Sequence, residues 1–270
     1  MKSVSFGGGT MNSYHIASVS FGKDSLYMLL RLIDEGAPLN EVVFYDTGME
    51  FQAIYNTRDA ILPLLKEQGI KYTEFKPKRP FAYDMLEKPV KSKNGDHLGY
   101  SWCGGSARWG TAAKTATLDS HARKAGKNVI QYVGIAADEP KRLQLLQENK
   151  VAPLAEWSIT EAEALQNCYS RGFCWEENGM RLYDLLDRVS CWCCGNKNLK
   201  ELRNMYEHLP EYWERLKGLQ SRTSRPMKGK GKSVFDLEER FAAQHAREEA
   251  ERRAREEAGG KILAERDGKP

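Results

Sequence analysis

Between Tyr14 and Gly36 the chain runs from a β-branched and aromatic stretch, YHIASVSF, through GKD into SLYMLLRLIDE, where Leu26, Leu29, Leu30 and Ile33 recur at helical spacing. Gly36 stands where a helix stop belongs. A strand that ends in a tight turn and feeds a helix is half of a βαβ unit, and the pattern repeats. EVVFYD (41–46) reads as a strand, 52–68 as an amphipathic helix in spite of Pro63, and KYTEFK (71–76) as a third strand. NVIQYVGI (128–135) makes a fourth. Alternation at this pitch predicts an α/β fold, a parallel sheet wound with helices, with ligands beyond the carboxyl ends of the strands at the turns after Phe21, Asp46 and Ile135.

From about Val151 the character changes to a C-terminal helical addition. Residues 160–171, 181–188 and 198–219 read as helices, and 235–257 as an exposed charged helix with Glu and Arg at i,i+4 spacing and no apolar stripe. The expected organisation is a flexible leader (1–13), an α/β domain (14–150), a helical region (151–220), a basic linker (221–234) and a charged helix and tail (235–270). With 41% apolar residues the chain can bury a core, and it has neither a run of about 18 apolar residues nor a signal-peptide pattern. A cytoplasmic protein with no membrane segment is expected. The net charge of +4 means that any polyanion footprint is local. RTSRPMKGKGK (222–232), basic and without a carboxylate, is the segment expected as a mobile contact for a nucleic-acid acceptor.

The string SVSFG occurs at 3–7 and again at 18–22, but only the second copy continues into Lys23-Asp24-Ser25 and a helix. A helix N-terminus offers unpaired N–H groups and a favourable dipole to an anion. Gly22 is read as the residue permitting the tight turn, Ser20 and Ser25 as hydroxyl donors, and Lys23 as a cation for phosphate or sulfate oxygens. The pattern is not a Walker A motif, because Ala17 and Asp24 occupy the positions where it needs glycine and Ser or Thr.

SFGKDS resembles the SGGxDS signature of PP-loop enzymes of the adenine-nucleotide alpha hydrolase-like superfamily, with Phe21 in place of a glycine. FYDTGMEF (44–51) resembles the second-strand motif of the phosphoadenosine phosphosulfate reductase-like branch, and GIAADEPKRL (134–143) is similar to that branch's G-x-R-x-x-E-S-x-x-R segment. The resemblance implies a nucleotide site at Ser20, Phe21, Gly22, Lys23, Asp24, Ser25, Asp46, Thr47, Gly48, Gly134 and Glu139. It implies catalytic roles for Lys23, Asp24, Arg142 and Cys193. The ligand implied is ATP or phosphoadenylyl sulfate, with Mg2+ at Asp24 or Asp46.

The six cysteines are not spaced as a disulfide framework. WCGGSARWGT (102–111) and RVSCWCC (188–194) resemble two cysteine motifs of the same branch, whose first motif often carries a second cysteine where this chain has Ala107. Cys103, Cys191 and Cys194 supply three soft donors, with Cys174 or Cys193 as a fourth, a set suited to Zn2+ or a 4Fe–4S cluster. The alternative is a small buried hydrophobe at Cys103 and a partly buried strand end at CWCC. Arg108, Lys114, Arg142 and Arg188 are the candidate cations. Assimilatory sulfonucleotide reductases use a cysteine near the C-terminus, and no cysteine follows Cys194.

The leading expectation is therefore an enzyme that binds an adenine nucleotide and activates or transfers sulfur or an adenylyl group, with a nucleobase as one acceptor. The alternatives are a sulfonucleotide reductase or sulfuryl transferase, and a zinc-stapled nucleic-acid-binding module with a vestigial nucleotide site. The sequence assigns no oligomeric state.

Overall fold

The computed structural model describes residues 13–93, 95–126 and 128–267, the segment 257–267 as helix backbone only. The leader expected at 1–13 lies outside the described residues except for Ser13. The chain divides into two compact units, one ending at Lys197 and the other beginning at Asn198, so the helical segment after Val151 belongs with the α/β unit as far as Lys197.

The first unit starts with β1 (Tyr14–Ser18), α1 (Lys23–Asp34), β2 (Glu41–Tyr45), α2 (Gln52–Glu67, with Pro63 inside it) and β3 (Lys71–Phe75). An insertion follows, made of the short helix α3 (Phe81–Leu86) and the hairpin β4 (Pro89–Val90) and β5 (His97–Leu98). Then come α4 (Trp109–Ala125), β6 (Val129–Val133), the single turn α5 (Pro140–Leu143), the edge strand β7 (Lys150–Val151), α6 (Pro153–Glu156) and α7 (Glu161–Ser170). All five sheet strands run parallel in the order β3-β2-β1-β6-β7. This is a doubly wound α/β fold, and its strand order reverses between β1 and β6, the place where such sheets bind ligands.

Burial explains the layering. The central strands β1 and β2 are apolar on both faces, as parallel strands covered by helices must be. On one face Ile16, Val43 and Val129 pack with Ala122 of α4, with Tyr14, Phe75 and Leu118 at the margin. Leu26, Met28, Leu29 and Leu32 of α1 are fully buried, and α1 packs against α7. Thr160 caps α7 in a reciprocal capping box with Glu163.

Several expectations shift by a few residues for identifiable reasons. β1 stops at Ser18 rather than Phe21, because Phe21 adopts φ +57, which no strand accommodates. The helix expected at 181–188 shrinks to α8 (Leu182–Leu185), preceded by the hairpin β8 (Glu176–Glu177) and β9 (Met180–Arg181). Its turn is Asn178-Gly179, both at positive φ (51 and 73), the geometry an Asn-Gly pair favours.

In the second unit, the helix expected over 198–219 is two helices, α9 (Leu199–His208) and α10 (Pro210–Gln220). Pro210 has no N–H to continue α9 and instead opens α10. α11 (Val234–Asp267) is longer than expected and is not exposed throughout. Val234, Leu237 and Phe241 are buried, and Phe241 packs on Tyr206 and Trp213. The basic segment 222–232 is wrapped around a buried amide. Gln220 Nε2 donates to the carbonyls of Thr223 and Arg225, and its Oε1 accepts the N–H of Met227 and Val234. That network replaces the mobile linker expected from its Gly and Pro content.

Glu41, 1% exposed at the start of β2, accepts from Tyr14, Thr73, His121 and Lys71. Burial alone would raise its carboxyl, but these donors outweigh it and hold the group below the ordinary 4.5. A carboxyl depressed on folding stabilises the fold above its unfolded value and ceases to do so as pH falls through its folded value. Glu41→Gln is expected to cost about 2 kcal/mol at neutral pH, with the gap from the parent protein narrowing below pH 4.5. Urea denaturation at both pH values measures it.

Candidate active site

The loop between β1 and α1 is the centre of the site. Ser25 Oγ accepts the Ser20 N–H at 3.1 Å, lies 3.1 Å from Ser20 Oγ and donates to the Gly22 carbonyl at 3.2 Å, which closes the turn. α1 begins after Gly22 with no side-chain cap. Apart from the Lys23 N–H, which donates to the Tyr183 hydroxyl, its first-turn N–H groups therefore remain available to a ligand. They face a cavity of about 300 Å³ whose walls include Gly22, Lys23, Asp24, Ser25, Arg142, Tyr183 and Arg188.

The positive φ of this turn falls on Phe21, whereas Gly22 has φ −81 and ψ 168, open to any residue. The reading of Gly22 as the residue that permits the turn is thus corrected. What Gly22 supplies is room, because a Cβ there would lie 3.1 Å from the Tyr183 hydroxyl. A left-handed non-glycine residue costs about 1–2 kcal/mol. The Phe21 ring is fully buried, edge-on to Phe44 at 5.2 Å, and burial of such a ring contributes about 2–3 kcal/mol. Ring burial outweighs the backbone strain, so phenylalanine is tolerated where related loops carry glycine.

Three side chains that the sequence reading left without a role brace this loop. Trp175, fully buried, donates its indole N–H to the Phe21 carbonyl at 2.8 Å. Tyr183, edge-on to Trp175 at 4.9 Å, accepts the Lys23 N–H at 2.8 Å. Buried Cys168 donates its thiol to the Lys23 carbonyl at 3.4 Å. The Asn178-Gly179 hairpin puts Trp175 and Tyr183 on neighbouring segments, so that dipeptide was the signal available in the sequence. Burial raises the Tyr183 phenol above its ordinary 10.0 and keeps it protonated. Since it accepts from Lys23, its own proton is available to the cavity that it lines.

Charge in this cavity is arranged in pairs. Lys23 Nζ, almost wholly buried, lies 2.8 Å from Asp24 and 3.4 Å from Glu161. Burial raises the Asp24 carboxyl, partly countered by Lys23. Glu139 is buried, accepts from Arg142 at 2.5 Å and Arg188 at 2.7 Å, and these cations hold its carboxyl low against the opposing effect of burial. Gly134 follows β6, and a Cβ there would stand 2.7 Å from the backbone of Ser25. Only glycine lets the β6 turn close on the phosphate loop.

Asp46, Thr47 and Gly48 part company. Thr47 lines a second cavity of about 500 Å³, which Asp46 and Gly48 do not reach. Asp46 Oδ1 accepts the Gly48 N–H at 2.8 Å and the Tyr55 hydroxyl at 2.7 Å, which shapes the turn after β2.

That second cavity carries Cys103, Cys191, Cys193 and Cys194 on its wall, together with Lys114. Backbone contacts stitch the two cysteine loops together. Gly195 N–H donates to the Cys103 carbonyl at 2.8 Å, and Gly105 N–H to Asn196 Oδ1 at 2.6 Å. Trp192 N–H donates to the Met49 carbonyl at 3.0 Å, anchoring the CWCC loop on the turn after β2. Cys191 Sγ lies 3.4 Å from both Glu50 Oε1 and Thr47 Oγ1. Burial pushes the thiols of Cys191 and Cys193 up.

The structure does not bring Cys174 to this cavity; it is exposed, beside Trp175. Among the described residues no three Cys, His, Asp or Glu side chains converge as metal ligands. The donors suit zinc or an iron–sulfur cluster in type but, as arranged, do not close around one. No step is assigned to such a group.

Removing the Tyr183 hydroxyl deletes the phosphate-side donor while keeping the ring that packs on Trp175. Tyr183→Phe is expected to weaken adenine-nucleotide binding about tenfold and leave adenosine binding nearly unchanged. Titration calorimetry with ATP, ADP and adenosine measures the difference, and equal losses for all three would instead mark a purely structural role.

The model of the phosphoadenosine phosphosulfate reductase domain matches residues 14–165. An uncharacterized protein of Methanocaldococcus jannaschii is 22% identical over 219 residues, 74% of this chain and 40% of the relative, so the chain spans about two-fifths of that relative's length. Among solved structures, the U34-tRNA thiolase NcsA from Methanococcus maripaludis with its 4Fe–4S cluster is similar at a TM-score of 0.44 and 14% identity, over 87% of this chain and 73% of that one. The family match covers more than half of the chain and spans the phosphate loop, Gly134 and the Glu139–Arg142 pair, and the chain belongs to the phosphoadenosine phosphosulfate reductase domain family.

Proposed function

We propose that this protein is an enzyme that seats the phosphates of an adenine nucleotide on the Ser20–Ser25 loop and transfers an adenylyl or sulfur-containing group to an acceptor held in the adjoining cavity. One observation carries the reading: the two cavities share Ser20, Ser25, Gly134 and Arg142 as walls, and the second presents the cysteine loops. A nucleotide phosphate and a thiol wall thus meet at the β1/β6 switch point.

In the favoured reaction an acceptor oxygen attacks the α-phosphorus of ATP, the bond to the leaving pyrophosphate breaks, and the acceptor's proton passes to solvent. A sulfur nucleophile then displaces AMP from the activated acceptor carbon: free sulfide does so directly, whereas a cysteine persulfide leaves an acceptor–cysteine disulfide that a second thiol of the wall must cleave, releasing the thiolated acceptor and a Cys–Cys disulfide. This chain's part is electrostatic: first-turn N–H groups, Lys23, Arg142 and Tyr183 face the phosphate charge in a preorganised, partly dry cavity. Asp24, the carboxylate on that cavity, is the residue to hold Mg2+, which would neutralise phosphate charge when bound. Cys191 or Cys193, on the acceptor side, are the candidate sulfur carriers. A nucleobase is the acceptor class proposed.

The second reading, reduction or transfer of the sulfuryl group of phosphoadenylyl sulfate, is favoured by the same thiol wall. Release of pyrophosphate from ATP supports the first. Binding of the sulfonucleotide at least tenfold tighter than ATP, without pyrophosphate release, supports the second.

Under either reading, Lys23→Ala and Asp24→Asn are expected to lower turnover about a hundredfold or more, measured as isotope exchange between pyrophosphate and ATP or as sulfite release. Unchanged turnover in both variants would sink both enzyme readings.

A further inference from the structure

The cavity that holds the cysteine wall takes into its lining Phe81 of the insertion between β3 and α4, a segment without a role so far. Three features meet there. The first is charge. Residues 76–93 carry Lys76, Lys78, Arg79, Lys88, Lys91 and Lys93 against Asp84 and Glu87. Lys76, Arg79 and Lys88 have carboxylates within 3.3–3.8 Å, whereas Lys78, Lys91 and Lys93 are exposed and pair with no carboxylate among the described residues.

The second is an aromatic ladder. Trp109 packs on Phe81 at 4.6 Å and on Tyr100 at 5.7 Å, the latter nearly parallel at 27°. Lys88 Nζ stands 4.5 Å over the Tyr100 ring. The ladder runs from the cavity wall, where Phe81 sits, outward to the half-buried Tyr100. Leu98, next to this end, is 68% exposed.

The third is a helix face with nothing on it. In α4 only Ala122 is buried, and Thr111, Ala112, Ala113, Thr115 and Ala116 are exposed. A solvated helix face ordinarily carries Lys, Glu and Arg. This one carries small residues, with Thr111, Lys114 and Thr115 on the cavity wall. Small side chains allow the close approach of another chain's backbone.

The rim charge decides what that chain is. A protein partner would be met by an apolar patch with balanced charge, whereas here the exposed Lys78, Lys91 and Lys93 outnumber the insertion's one exposed carboxylate without an ion pair among the described residues, Asp96, and the aromatic ladder draws Phe81 and Tyr100 from the same insertion. That combination fits a phosphodiester backbone with bases to stack. Access decides the strandedness, since a base reaches a cavity wall only when it leaves its stack, which costs least in an unpaired strand.

We propose that the strip formed by 76–93, the Phe81–Trp109–Tyr100 ladder and the first half of α4 binds an unpaired nucleic-acid strand and delivers one base past Phe81 toward the thiol wall. The proposal rests on the reading above in making that strand the acceptor. It moves the nucleic-acid contact away from the basic segment 222–232.

The test uses the full chain and fluorescein-labelled oligo-dT and oligo-U, read by fluorescence anisotropy across a salt series, with ATP binding followed in parallel by equilibrium dialysis. The parent protein is expected to bind the single strands at least tenfold tighter than a duplex of equal length. The triple variant Lys78→Glu, Lys91→Glu, Lys93→Glu is expected to lose at least tenfold in strand affinity, with a shallower salt slope, while binding ATP as before. The helix variant Ala112→Glu, Ala116→Glu, at two exposed positions off the cavity wall, should do the same. Photocrosslinks from a 5-bromouracil oligonucleotide are expected at Tyr100 or Trp109.

No strand binding by the parent, unchanged affinity in both variants, equal affinity for duplex, or a loss produced instead by Lys230→Glu, Lys232→Glu would overturn the proposal. Strand binding at this strip in a protein that binds no ATP would uphold it and defeat the nucleotide reading. The two failures are therefore separable.

Discussion

Everything at this site depends on how the backbone is held at Phe21 to Lys23. A phosphate loop must hold its N–H groups outward, and a residue at φ +57 is the means by which this one turns. The conformation is not self-supporting, because phenylalanine resists it by about 1–2 kcal/mol. It persists because the ring is locked in the core beside Phe44 and because Trp175 and Tyr183 each hold one backbone group of the loop. Those two hydrogen bonds reach across 154 and 160 residues of sequence. The segment 171–197 is thus the outer wall of the phosphate loop, and the compact unit accordingly extends to Lys197.

The same logic relates the two glycines that flank the loop. Gly22 and Gly134 are both at positions where a side chain would strike something: the Tyr183 hydroxyl in one case, the Ser25 backbone in the other. Neither is needed for an unusual dihedral. They mark close approach, Gly22 to the brace and Gly134 to the neighbouring strand, and together they set the loop's position from two sides.

What was legible in the sequence follows from range. The strand–helix alternation is local, carried by periodicity within a dozen residues, and β1 to β3 and β6 stand within a few residues of where the pattern places them. The turn between β1 and α1 was legible for the same reason, since strand, turn and helix are contiguous. The brace was not, because nothing in WEENGMRLY shows which loop its aromatics will meet. The helix expected at 181–188 is shorter because the Asn178-Gly179 turn closes a hairpin that runs through Arg181. The cysteines fall between these cases. Their clustering was visible, and the structure sets Cys103 beside the CWCC loop through the Gly195 and Asn196 contacts, but Cys174 shares only composition with them.

The arrangement of charge bears on how such a site can be selective. Lys23, Arg142 and Arg188 are each already engaged with Asp24, Glu161 or Glu139. A phosphate entering the cavity therefore does not meet bare cations; it must compete with carboxylates for them. Cations so engaged gain less from a single weakly charged anion than from one with several oxygens that can satisfy N–H groups, lysine and arginine together. Glu161 opens α7, and the capping box of Thr160 and Glu163 fixes that helix end, so its carboxylate is held close to Lys23 rather than free to swing away. The carboxylates thus act as a threshold, keeping buried lysine charge compensated until a polyvalent ligand arrives. Under the proposed reading, a preference for a nucleotide over a simple anion would follow from this internal pairing.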